Sequence, residues 1–200
     1  MHRLRFPFLG YTVVLHWSWL VAVSLITWSL STGYYPKIWP DFPRTLYWLS
    51  GLMSTLMLFF SILLHECAHA GVATYHGIRI KEIMLHIVGG WTMLPKEVST
   101  PRLEALVAIA GPLCSAMIGL LLLPWSDFPI AYYIMHFNFV LAFYNLIPAF
   151  PMDGGRILRS WYWAQQGSFA QATERASLLG KRIAIGMILI GIAGLFLNWS

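Results

Sequence analysis

Apolar runs long enough to cross a lipid bilayer limit the fold of this chain more than any other feature. A helix needs about 20 apolar residues to span ~30 Å of hydrocarbon, and five segments meet that measure: roughly 11–33, 46–74, 101–124, 130–150 and 181–198. Only 10% of the residues are charged, against about a quarter in soluble domains, which excludes a soluble globule and a disordered arm. The first segment is too long and too rich in Trp and Tyr for a cleaved signal peptide, so it reads as a retained span. The net charge of +5 would ordinarily raise nucleic acid as a partner. Here the basic residues are strung through short loops with no single patch, so no nucleic acid is expected and the bilayer explains them better. Cys67 and Cys114 lie in apolar runs and form no disulfide framework.

Loop charge sets the expected orientation, because Lys and Arg in short loops mark the cytoplasmic side. An inside N-terminus places Arg3, Arg5, Arg79, Lys81, Lys96, Arg102, Arg156, Arg159, Arg175, Lys181 and Arg182 on that side, 11 of the 13 basic residues, leaving Lys37 and Arg44 opposite. The stretch from Ile78 to Leu94 alternates, turns apolar and breaks at Gly89-Gly90, so it reads as a short β-hairpin. Its backbone groups must be satisfied, which confines it to the interface or to contact with protein. A second piece, about 168–179, mixes polar residues with Ala and Leu and is expected as an interfacial helix. The expected class is an all-α polytopic membrane protein of about five transmembrane helices with a short membrane-associated hairpin.

Ionisable groups within a span are costly and point to function. Near the inner end of the second span stands His65-Glu66-Cys67-Ala68-His69. A four-residue step along a helix turns about 400° and rises ~6 Å, so both imidazoles project from one face and can share a metal ion. Glu66, about 100° round, stands beside that ion as a base toward water. A catalytic zinc site needs three protein ligands, and among only eight acidic residues the candidate at the right depth is Asp153. The second and fourth spans run in the same direction, which brings their inner ends level. Pro148 and Pro151 unwind the end of the fourth span, and Gly154 and Gly155 let the backbone approach closely. His16, His76, His86 and His136 read as interfacial or interhelical groups, and Cys67 points away from the histidine face.

These residues resemble the prokaryotic site-2 proteases, intramembrane zinc metalloproteases of peptidase family M50. The resemblance rests on the His65–His69 motif, the following Tyr-His-Gly-Ile-Arg-Ile run into Gly89-Gly90, Ala110-Gly111-Pro112 and, above all, the run from Asn145 to Arg156. It implies one Zn2+ held by His65, His69 and Asp153, Glu66 as general base and acid, and Asn145 as a helper near the scissile carbonyl or in substrate binding. It implies a single transmembrane metalloprotease domain over residues 1–200 in the plasma membrane, with the N-terminus and active site cytoplasmic, cutting single-pass membrane proteins. Two departures stand out. Ser115 replaces the Asn found in many relatives, where a small polar residue can hydrogen-bond similarly. Relatives commonly carry a sixth span and often further domains, so the chain resembles a minimal core with its C-terminal regulatory domain absent or truncated.

Two other functions compete with the protease. A metal transporter would also place His and Asp in a membrane, but it needs a continuous polar path and often repeated halves. A silent binder of membrane helices would have little use for Glu66. Because a helical substrate has its carbonyls occupied, the 78–94 hairpin is expected to receive an unwound segment by strand addition.

Overall fold

The computed structural model describes residues 3–80, 82–87, 89–92 and 98–196. Lys81, Lys96 and the far end of the expected hairpin lie outside them. The chain opens on strands β1 (Arg3–Phe8) and β2 (Tyr11–His16) and enters α1 (Ser18–Ser29), which continues through a π-helical turn (Leu30–Tyr34) into α2 (Tyr35–Ile38). Helix α3 (Arg44–Tyr75), strands β3 (Glu82–His86) and β4 (Gly89–Thr92), and helices α4 (Pro101–Leu122), α5 (Pro129–Asn145), α6 (Asp153–Gln166) and α7 (Phe169–Phe196) follow.

Among the described residues three helices are long and apolar enough to cross a membrane: Arg44–Tyr75, Pro101–Trp125 and Phe169–Leu195. The C-terminal half of α7 leaves Ile185, Met187, Ile188, Leu189, Ile190, Ile192 and Leu195 exposed, a surface suited to lipid. The two other expected spans are shorter as regular helices, 12 residues in α1 and 17 in α5.

Residues 11–16 are not part of the first span. They form β2, because Leu9 (φ 47°) and Gly10 (φ 84°) make a two-residue turn of the kind that twists a hairpin correctly, and Tyr-Thr-Val-Val-Leu-His suits a pleated surface. β1 pairs antiparallel with β2, β2 parallel with β3 (Val13 opposite Ile83), and β3 antiparallel with β4, giving the order β1-β2-β3-β4. The expected hairpin is thus half of a four-stranded sheet. Val13, Ile83 and Leu85 pack with Leu63, Cys67 and Ala70 of α3. Ser18 ties sheet to helix, since its Oγ accepts from the Ile87 amide at 3.2 Å and bonds His16 Nδ1 at 2.8 Å.

Small residues bring the helices close. A Cβ on Gly51 of α3 would lie 2.2 Å from Ser31 Oγ, and Thr27 donates to Thr55 across the same contact at 3.1 Å, the close small-residue packing that joins helices in lipid. The expected interfacial helix at 168–179 is no separate element. It is the first part of α7, because nothing between it and the apolar run breaks helix: Gly180 packs on Ala149 without bending the chain.

α5 stops at Asn145, as Pro148 and Pro151 require, and residues 146–152 wrap over the start of α6, a helix not expected from the sequence. The wrap is tight. A Cβ on Gly154 would lie 2.3 Å from the Leu146 carbonyl oxygen and 2.4 Å from that of Ile147, and backbone cannot move aside cheaply. Gly154→Ala is therefore expected to lower unfolding free energy by about 1–3 kcal/mol or more, measured by denaturant unfolding in detergent micelles; wild-type stability would show that the loop is not packed on α6 in this way.

Candidate metal centre

His65 and His69 lie one turn apart on α3, both buried, and Asp153 opens α6, also buried. Their ligand atoms come together within 4.8 Å of one another. Asp153 Oδ2 stands 3.2 Å from His65 Nε2 and 3.1 Å from His69 Nε2. The three residues singled out in the sequence therefore converge, across 88 positions of chain in the longer pairing.

Helix α4 orients both rings. His69 Nδ1 lies 2.6 Å from the Val107 carbonyl oxygen, and a carbonyl only accepts, so this nitrogen carries a proton. His65 Nδ1 bonds Ser115 Oγ at 2.9 Å, the hydrogen bond expected of the small polar residue there. Such partners on the far ring nitrogen fix the tautomer and aim of a metal-binding histidine. In neutral His69, Nε2 then presents a lone pair to a carboxylate oxygen at hydrogen-bond distance. Two acceptors so placed need positive charge, as a proton or a metal cation, and a cation satisfies both imidazoles and the carboxylate together.

The space around the nitrogens fits that reading. A Cβ on Gly111 of α4 would lie 2.3 Å from His69 Nε2 and 2.5 Å from His65 Nε2, so glycine keeps the ligand atoms clear. Burial alone would raise the Asp153 carboxyl, but imidazoles that carry a proton on Nε2 and donate it to the carboxylate hold it well below the usual carboxylate range, so in that state the group is an anion. Nitrogen, nitrogen and carboxylate oxygen form a donor set that zinc accepts.

Glu66 is half-buried beside the pair, and β4 crosses it closely: a Cβ on Gly90 would lie 2.5 Å from Glu66 Cγ. Asn145 ends α5 with its side-chain amide donating to the Leu141 carbonyl at 2.9 Å, a bond within its own helix. Cys67 faces the sheet rather than the histidines. His76 and His136 bond carbonyls of their own helices, Val72 and Tyr132.

Several neighbours escaped the sequence reading. Arg156, read as a loop charge and as the end of the run from Asn145, with no contact to Asp153 expected, has Nη1 3.5 Å from Asp153 Oδ1. Asn138 of α5 is fully buried and donates to Ser61, one turn before His65, at 2.9 Å. Glu104, 1% exposed in α4, pairs with Arg159 of α6. The rule that exposes Glu66, an ionisable group within an apolar run, applies equally to Glu104.

Fold and site together define a helical membrane protein with a buried His-His-Asp group able to hold a metal ion. Residues 53–128 and 125–190 match the model of Peptidase family M50. The site-2 protease from Methanocaldococcus jannaschii superposes with a TM-score of 0.65 at 30% identity, covering 97% of this chain and 87% of that one. Rip3 of Mycobacterium tuberculosis is 35% identical over 195 residues, 92% of this chain and 49% of its own. A zinc metalloprotease of M. jannaschii is 40% identical over 145 residues, 68% of this chain and 42% of its own. The chain spans about half the length of the curated relatives it matches. It belongs to peptidase family M50, among the site-2 proteases.

Gly111→Ala places a methyl group on both ligand nitrogens, and Ser115→Ala removes the partner of His65. Zinc affinity is expected to fall by about 10–100-fold in Ser115→Ala and by at least as much in Gly111→Ala, read by competition with a chromophoric chelator; wild-type affinity in Gly111→Ala would place the metal elsewhere.

Proposed function

We propose that this protein is an intramembrane zinc metalloprotease that hydrolyses peptide bonds within or near the transmembrane segments of single-pass membrane proteins. The observation that carries the reading is the convergence of His65, His69 and Asp153 on one buried point, with Glu66 at its side under the backbone of β4. In this reading His65 and His69 hold zinc through Nε2 and Asp153 through its carboxylate. Zinc so bound supplies a Lewis acid and lets a water molecule lose a proton near neutral pH.

The chain's own groups do the rest. Val107 and Ser115 hold the two rings on α4 and fix which nitrogen faces the site. Glu66 takes the proton of the attacking water and returns it to the leaving amine, the two halves of general acid–base catalysis. The substrate must be extended, because a helix occupies its own carbonyls. β4 ends the described sheet order, with β3 as its one neighbour there, and we assign its other edge the task of pairing an unwound segment. Gly90 then lets that edge lie directly against the general base. Loop charge supports an N-terminus and site on the cytoplasmic side of the cell membrane, and Asn145, at the end of α5, remains assigned to the substrate side.

The experiment is cleavage of a labelled single-pass substrate by the purified protein in detergent. Glu66→Gln is expected to abolish cleavage while retaining zinc, and a chelator is expected to abolish it by removing the metal. Gly90→Ala, which pushes against Glu66, should reduce cleavage at unchanged zinc content. Cleavage that survives Glu66→Gln would falsify the assignment.

A further inference from the structure

Arg159 lies six residues beyond Asp153 on α6 and reaches no metal-site group, yet it gathers four parts of the molecule. Its Nε donates to Glu104 Oε1 of α4 at 2.9 Å and its Nη2 engages the same oxygen. Its guanidinium lies over the ring of Phe150, in the loop leading to Asp153, at 5.1 Å, and over Phe169, at the start of α7, at 4.5 Å. Glu104 is 1% exposed, so the pair sits where ionic groups are costly to desolvate. A buried ion pair is a poor way to gain stability, since well-packed apolar residues often do as well or better.

Its position suggests a different use. Glu104 is one turn before Val107 on α4, the helix that also supplies Gly111 and Ser115 to the histidines. α6 carries the third ligand, and its first turn is clasped by the loop that contains Phe150. Fixing Arg159 to Glu104 therefore sets the helix bearing Asp153 in register with the helix that orients His65 and His69. We infer that the Glu104–Arg159 pair is a positioning device that holds the Asp153 carboxylate at metal-binding distance from the two imidazoles. The inference rests on the zinc site proposed above. Arg156 acts on the Asp153 carboxylate directly; Arg159 acts on where the helix places it.

The test is a double-mutant cycle read in zinc affinity, by chelator competition with the full chain in detergent. Arg159→Gln is expected to weaken zinc binding about 10–100-fold in the native background and by less than about twofold when Asp153 is already Ala, because the pair then has no ligand left to place. With Co2+ as probe, the absorption spectrum of Arg159→Gln should move toward that of Asp153→Asn. If Arg159→Gln does not fold, the combined Glu104→Gln/Arg159→Gln protein, which leaves no charge unpaired, carries the same cycle with the same expectation. Equal losses in both Asp153 backgrounds would mean general loosening and overturn the inference, as would unchanged affinity in the native background. Failure of the underlying zinc reading is visible separately, as wild-type protein that binds neither ion.

Discussion

The hydrogen bonds from the two imidazoles to α4 are the interactions on which the rest of the site depends. In a bilayer a buried polar group has no water to fall back on, so each Nδ1 must find protein. The Val107 carbonyl and the Ser115 hydroxyl provide the partners. By meeting that need they also decide which nitrogens face inward, and so leave a group able to hold a metal ion where there would otherwise be two histidines joining helices. α4 can come this near only because Gly111 lies opposite the ring tips. The same helix then meets α6 through Glu104, so one element serves as the reference for ligands on two others.

Family M50 membership and the local geometry support each other without duplicating each other. The relatives speak for the family and the fold. The arrangement of rings, carboxylate and glycine shows why the chemistry of a divalent cation fits this chain in particular. Glu66 lies apart from the ligands because a step of one residue on α3 carries it round the helix, and that separation is what a base needs if it is to handle protons without itself binding the metal.

Much of this was legible in the sequence. The 46–74 run became α3 almost unchanged, and the i, i+4 pair of His65 and His69 with Asp153 picked out three residues that converge across the fold, because helical period and membrane depth are both written in local pattern. Other parts were hidden for physical reasons. β2 merges into the apolar run that follows it, since Val13, Val14 and Leu15 are as hydrophobic as a span; the Leu9-Gly10 turn was the local sign. Its pairing with β3 is a long-range fact that no local pattern contains. α6 was missed because Pro151 and two glycines advertise a loop, while the residues behind them, Arg156 to Gln166, form an amphipathic helix that composition alone leaves ambiguous. Gly111 and Val107 act through a missing side chain and a backbone carbonyl, and neither leaves a chemical signature in the residue type.

The mixed sheet also imposes an order of events on synthesis. Thr12 pairs with Glu82, so β2 leaves the ribosome long before its parallel partner exists, and its free edge must wait while α1 and α3 are made. Pairing between distant strands is slow to form because the intervening loop must close first. Until β3 arrives, β4 has no strand to join, and Glu66 has no roof. Asp153, made later still, is the last of the three converging residues to appear. A newly made chain therefore passes through a stage in which both histidines are already in the membrane but neither the carboxylate nor the strand edge is in place. The buried His-His-Asp group and the strand edge beside Glu66 are thus completed only when assembly of the chain is nearly finished.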